Sequence, residues 1–433
     1  MADLRRTIDA LWRIESTRLI AGLARMVRDV GLAEDLAQDA LVIALEKWPQ
    51  SGIPDKPGAW LMAVAKNRAL DRFRRDKSLD RKLQEYGRQA GASLGEFSPD
   101  FTAPLQKTID DDVLGLLFTV CHPVLATESR VALTVKLLGG LSTQEIARAY
   151  LVTETTMAQR IVRAKRTLTQ ARVPVNLPRS EDLVPRLASV LEVIYLIFNE
   201  GYSATSGEHW TRPALCEESL RLGRILAGLM TESPEVHGLC ALMEIQASRL
   251  PTRIGKNGNT ILLLDQDRAK WDQLLIRRGM DALVQAEVAS YRAAVPLGTY
   301  ALQAEIAACH ARANRAEDTD WERIAALYDA LSETEPSPVV ELNRAMAVSM
   351  AYGPSAGLEI ADALLDVAEL QDYHLLPSVR ADLLRKLGRM EEASVEFTRA
   401  ARLTRNLKER AMLLERAVLE RGTEPLPIPT SLQ

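Results

Sequence analysis

Helical periodicity runs through almost the whole chain, and this feature narrows the fold to an all-α class. From Gly31 onward, Leu32, Leu36, Ala40, Leu41, Ala44, Leu45 and Trp48 recur at three- and four-residue spacing. Glu34, Asp35, Gln38 and Asp39 fall elsewhere around the same helix, which makes it amphipathic. Strand-like alternation is nearly absent. Pro49, Ser51, Gly52, Pro54, Pro57 and Gly58 interrupt the pattern, and Trp60 to Asp76 then resumes it with a strongly basic face.

Further punctuation divides the chain. Residues 1–86 form a first helical domain, and 87–112, with Gly87, Gly91, Gly95, Pro99, Pro104 and Asp110 to Asp112, read as a flexible acidic tether. A compact helical block occupies 113–173, and Pro174 and Pro178 mark a linker over 174–184. Residues 185–285 then read as a helical extension, 286–424 as helical repeats and 425–433 as a proline-rich tail. In the repeats, Ala381, Gly388, Ala393, Phe397 and Ala400 have the spacing of a tetratricopeptide helix pair. Gly353 lies 35 residues before Gly388 and Ala345 lies 36 before Ala381, as a degenerate earlier copy would place them. An unrelated Ala-rich hairpin is the alternative.

Composition excludes several classes. With 433 residues, 47% of them hydrophobic, the chain is neither disordered nor a disulfide-stapled miniprotein. Cys121, Cys216, Cys240 and Cys309 are far apart and form no CxxC or Cys/His cluster, which speaks against a zinc ribbon and fits a reducing, cytoplasmic compartment. Arg5, Arg6, Arg13 and Arg18 break up the N-terminal apolar residues, and no stretch reaches the ~18 apolar residues of a membrane span. No secretion signal or membrane anchor is expected. His122, His209, His237, His310 and His374 are widely spaced, and there is no GxSxG, P-loop or HExxH. Asp265-Gln266-Asp267 is too short for a calcium loop. The expectation is a protein with no catalytic residues, no metal and no cofactor.

The net charge is −4, but residues 1–172 hold 26 Lys/Arg against 21 Asp/Glu, a balance of +5, which leaves −9 for 173–433. That asymmetry is what a nucleic-acid-binding part joined to a non-binding part gives, although an ordinary solvated surface gives it too.

Two constellations carry recognition chemistry. Ser142 and Glu145 form a capping box at the start of one short helix, and Thr153 can cap the next, which runs from Glu154 to Leu168. Small Ala147 permits a close crossing, and Ile146, Val152, Met157 and Ile161 supply the core of a helix-turn-helix. Leu151 sits where many such turns carry glycine. The second helix displays Gln159, Arg160, Arg163, Lys165 and Arg166, a mix of base-reading and phosphate-neutralising groups. A solvated basic helix is the bland reading. The other constellation is Pro57 to Arg75, where Lys66, Arg68, Arg72, Arg74 and Arg75 make a basic face suited to a nucleic-acid backbone. Trp60 and Phe73, at helical spacing there, read as core.

The order of these parts resembles a known family. The acidic helix Ala33 to Ala40, the Trp48-Pro49 stop, the Pro57 to Arg75 block, the tether and the helix-turn-helix look like the extracytoplasmic-function type of the sigma-70 family. The Cys121-His122-Pro123 segment and Tyr195 to Ser203 resemble the subgroup with a fused tetratricopeptide-like C-terminal extension. The resemblance implies a sigma region 2 domain over 1–86 and a region 4 domain over 113–173. It implies that Asp35, Gln38 and Asp39 dock on core RNA polymerase. The Ile53 to Gly58 loop and Asn67 would capture a flipped base of the −10 element, with Lys66, Arg68, Arg72, Arg74 and Arg75 on the phosphates. Gln159 and Arg163 would read −35 bases of promoter DNA, while Arg160, Lys165 and Arg166 hold its backbone. The extension would contact the sigma domains within the chain or bind a protein or peptide ligand. A stand-alone helix-turn-helix regulator with a tetratricopeptide sensor and a helical peptide-binding scaffold are the competing readings.

Overall fold

The computed structural model describes residues 2–86, 109–150, 152–203, 211–255, 260–404 and 406–419. Residues 87–108 of the tether expected over 87–112, Leu151 and the tail expected over 425–433 lie outside the described residues, while residues 109–112 of that tether are helical and not loop. Among the described residues the fold is α-helical and carries no β-strand, and Ile254 and Thr260 form an isolated bridge. No helix among them is long and apolar enough to cross a membrane.

Contacts divide the chain into two compact units, Met1–Ile197 and Phe198–Gln433. The first opens with α1 (Ala2–Val27), α2 (Val30–Ser51) and α3 (Pro57–Tyr86). Asp29 starts α2 by accepting a 2.7 Å hydrogen bond from the Leu32 amide. Pro49 does not end the helix, contrary to the stop read at Trp48-Pro49. In the last turn a proline forfeits only its own i to i−4 bond, so α2 runs to Ser51 and terminates at Gly52, whose φ of 80° suits only glycine well. Pro57 occupies the first position of α3, where its missing N–H costs nothing. Trp48 is 2% exposed and packs its ring 5.3 Å from that of Trp60, so both tryptophans serve the core of this bundle.

Four further helices follow in the same unit: α4 (Ile109–Val120), α5 (Thr127–Leu137), α6 (Thr143–Ala149) and α7 (Glu154–Gln170). The capping box forms reciprocally, the Ser142 amide donating to Glu145 Oε2 at 2.7 Å and the Glu145 amide to Ser142 Oγ at 3.1 Å. Thr153 caps α7 by accepting from the Thr156 amide. Ile146 and Ala147 of α6 and Met157, Ile161, Ala164 and Leu168 of α7 are buried. The proline-rich linker ends in α8 (Ser180–Tyr202), and the boundary between the units falls inside that helix. Its first half belongs to the first unit: Ser189 Oγ donates to the Cys121 carbonyl at 2.8 Å, Arg186 to the Phe118 carbonyl, and Arg130 pairs with Glu192 at 3.2 Å.

The second unit continues with α9 (Pro213–Leu229), α10 (Pro234–Ala247), α11 (Gln273–Ala293) and α12 (Thr299–Arg312). Then come α13 (Trp321–Thr334), the helix pairs α14 (Pro338–Tyr352) with α15 (Pro354–Ala363) and α16 (Leu375–Lys386) with α17 (Met390–Leu403), and α18 (Leu407–Leu419). Ala345, Ala381, Ala393, Phe397 and Ala400 all lie in one buried cluster. Gly353 and Gly388 make the turns, at φ values of 104° and 77°. Small residues serve close approach here, since a Cβ on Gly357 of α15 would lie 2.5 Å from the Ala345 carbonyl oxygen and against the Ser349 side chain of α14. Gly357→Val forces those backbones apart and destabilises the second unit by about 1–3 kcal/mol, as overpacking generally does. Urea unfolding followed by circular dichroism reads this loss; a midpoint equal to that of the wild type would contradict the close approach.

Candidate nucleic-acid interface and docking face

Asp35, Gln38 and Asp39 are exposed on one face of α2, and Val42, 52% exposed, and Leu45 continue that face. These positions are three or four residues apart, so the helix presents carboxylates beside an apolar strip. Glu34, in contrast, is turned inward and only 3% exposed. Sequence had grouped it with the polar face. Its carboxylate pairs with Lys165 of α7 and lies 3.9 Å from Lys136 of α5, and it accepts from Gln38 Nε2 at 2.9 Å. A buried carboxylate needs such partners to stay ionised. No local signal marks Glu34, because Lys136 and Lys165 come from a distant part of the chain.

On α3, Asn67, Arg68, Arg72, Arg74 and Arg75 are exposed on the outer side of the bundle. Arg74 is within 3.9 Å of Asp71, and Arg75 Nε donates to the Asp71 carbonyl at 3.2 Å. Lys66 is half-buried at the edge of a cleft of about 1310 Å³. That cleft is walled by the Asp55 to Ala59 segment, by Arg18 and Arg25 of α1 and by Arg28 just after it, while Asp112 of α4 and Asn176 close its far side. The α1 arginines were not singled out in the sequence, since a lone arginine in an amphipathic helix reads as solvated. Asn67 is one residue beyond Lys66, on the exposed side.

Gln159, Arg163 and Arg166 are exposed on α7, with Val162 between them at 62% exposure. Arg160 is half-buried. Lys165 points the other way, into its ion pair with Glu34. The structure therefore brings together Gln159, Arg163 and Arg166 and sets Lys165 apart from them. The two helical domains of the first unit are also held by Thr169 Oγ1 donating to Asp29 Oδ2 at 2.8 Å, by Thr17 Oγ1 donating to the Leu138 carbonyl at 2.9 Å and by Arg25 paired with Asp112 at 2.9 Å.

Comparison with known proteins agrees with this anatomy. Residues 12–79 match sigma-70 region 2 and residues 116–168 match sigma-70 region 4. Residues 186–287 match a family of unknown function, DUF6596. The chain is 40% identical over 399 residues to the uncharacterized protein R00370 of Rhizobium meliloti, covering 91% of each. It is 25% identical over 263 residues to the probable ECF RNA polymerase sigma factor SigI of Mycobacterium tuberculosis, covering 53% of this chain and 89% of that one. Over 82 residues it is 33% identical to the ECF RNA polymerase sigma factor SigK of a Mycobacterium species, covering 18% of this chain and 41% of that one. No solved structure matches the chain. A region 2 domain has no use in a stand-alone regulator or a peptide scaffold, so neither competing reading is favoured. With regions 2 and 4 in order and a helical extension behind them, the chain belongs to the extracytoplasmic-function group of the sigma-70 family and is an RNA polymerase sigma factor with a C-terminal extension.

Proposed function

We propose that the α2 face docks core polymerase, that α3 and its preceding loop take the −10 element, and that α7 takes the −35 element. The observation that carries this reading is the separation of exposures. Asp35, Gln38 and Asp39 are exposed together on one helix, while Asn67, Arg68, Arg72, Arg74 and Arg75 are exposed on α3 and Gln159, Arg163 and Arg166 on α7. The role is recognition and duplex opening, with bond-making left to the polymerase, and a subunit acting there works in the cytoplasm. The acidic extension, with its −9 charge beside a +5 sigma part, regulates or supports that activity.

Reversing two charges on one face turns attraction into repulsion. Asp35→Arg/Asp39→Arg therefore removes core binding in a titration with purified polymerase and leaves the fold intact, both side chains being exposed. Unchanged affinity would refute the docking assignment.

Arg163→Ala costs about 1–3 kcal/mol on preferred promoters if the side chain makes a bidentate base contact, and it shifts the −35 preference. Arg166→Ala weakens all promoters alike. Run-off transcription over a randomised −35 library separates the two, and identical profiles would show that the division between reading and holding is wrong.

The first unit must also open to work. The −10 and −35 elements are ~25 base pairs apart, roughly 85 Å at ~3.4 Å per step. Here α7 touches the start of α2, Thr169 lying 2.8 Å from Asp29. The Glu34 pairing with Lys165 and Lys136 is thus made only in the closed form. Glu34→Gln leaves two lysines of the closed form without their carboxylate, a loss of up to about 3–5 kcal/mol, whereas an open form with a solvated side chain loses little. Transcription at limiting polymerase rises several-fold, and equal or lower output at unchanged core affinity would sink the idea of a closed resting form.

A further inference from the structure

Arg249, Arg253 and Arg268, all from the 186–287 region, gather in the second unit around two aromatic rings. The guanidinium carbons of Arg249 and Arg268 lie 5.1 and 5.3 Å from the Trp271 ring centre, and that of Arg253 lies 3.9 Å from the Tyr202 ring centre. Arg249 and Arg268 are each 6% exposed. Among the described residues no carboxylate forms an ion pair with any of the three. The same unit matches its other buried charges: Glu244 pairs with Arg224 at 2.6 Å, Glu218 with Arg221 at 2.6 Å and Glu305 with Arg312 at 3.1 Å. The exposed acids Glu317 and Asp318 act on Arg268 only through their field.

Backbone carbonyls take part of this charge. Arg268 donates to the carbonyls of His310 and Ala313, at 2.8 and 3.0 Å, in the last turn and at the C-cap of α12, and to Thr319 Oγ1 at 2.9 Å. Arg249 donates to the Ala307 carbonyl at 3.2 Å. A helix C-terminus offers about half a negative charge against three full positive ones, so the carbonyls leave the cluster strongly cationic. Donors are also left over: Nε of all three arginines and Nε1 of Trp271, each buried, have no acceptor. Nδ1 of His310 is likewise unpartnered. Burial, reinforced by Arg249 and Arg268, pushes His310 down to about 3, so it adds no charge of its own. Burial also pulls Arg249 and Arg268 below their ordinary value, but guanidinium groups do not deprotonate in proteins. Relief of the mutual repulsion has to come from a counter-anion.

We propose that Arg249, Arg253, Arg268 and the Trp271 indole N–H form a binding site for the oxyanion group, phosphate or carboxylate, of a small ligand. Guanidinium forks match both groups, and hydrogen bonds to a charged acceptor are the stronger kind. The ligand neutralises the cluster and ties the end of α10, the Asp265 to Trp271 segment and α12 together, which gives the extension a sensing site separate from promoter recognition.

Thermal unfolding of the full-length chain tests this, with inorganic phosphate and malonate each compared with chloride at matched ionic strength. A saturable rise in the melting temperature with at least one of them is expected. Phosphate alone points to a phosphorylated ligand and malonate alone to a carboxylate. Arg253→Gln, at the half-buried arginine, removes one of three like charges. In chloride it melts no lower than the wild type, and its apparent affinity for the anion falls at least tenfold. No saturable shift beyond chloride with either anion, or an Arg253→Gln protein that melts lower in chloride or titrates like the wild type, would overturn the site.

Discussion

Glu34 sits on the inner side of α2 with Lys165 and Lys136 of the other helical domain around it. Without them it would be an ionised carboxylate away from water, which is among the costlier arrangements a protein core can contain. The facing of α2, the seat of α7 and the closed arrangement of the first unit are therefore one electrostatic problem. Turning Glu34 inward also leaves Asp35 and Asp39 outward, since residues one and five positions on are rotated by about 100° and 140° around the helix, whereas Gln38, four positions on, stays within reach and donates to the Glu34 carboxylate. The exposed face proposed for docking and the buried contact that closes the unit belong to the same helix.

Much of the first unit is legible from sequence because its signals are local. The Ser142/Glu145 capping box and the Thr153 cap involve residues three positions apart, and both form as the spacing implies. The positions Ala381, Gly388, Ala393 and Phe397 are legible for a similar reason: each repeat is packed against its neighbour, so small residues recur where helices cross. Glu34 is not legible, because its partners are 102 and 131 residues further along the chain. The pairing of Lys165, read from sequence as a phosphate holder, is hidden for the same reason. Pro49 misled in another way: the rule that proline breaks helices applies to interiors, and α2 carries it in the last turn.

The extension repeats the contrast. Its helix pairs follow from periodicity, whereas the arginines around Trp271 come from segments with no shared pattern and meet only in the folded unit. Asp265-Gln266-Asp267 looks like a fragment of a cation loop, yet in the structure the side chain of Asp267 caps the turn that presents Arg268.

Val42 and Leu45 remain open to solvent beside the carboxylates of α2. Charge acts over about 10 Å at ordinary salt, while apolar contact acts only when surfaces meet and water leaves. A face that combines them divides the work of association in time. If the face docks as proposed, the carboxylates set how often a productive encounter occurs and the strip formed by Val42 and Leu45 sets how long the pair then stays together, so ionic strength changes the rate of arrival far more than the rate of departure.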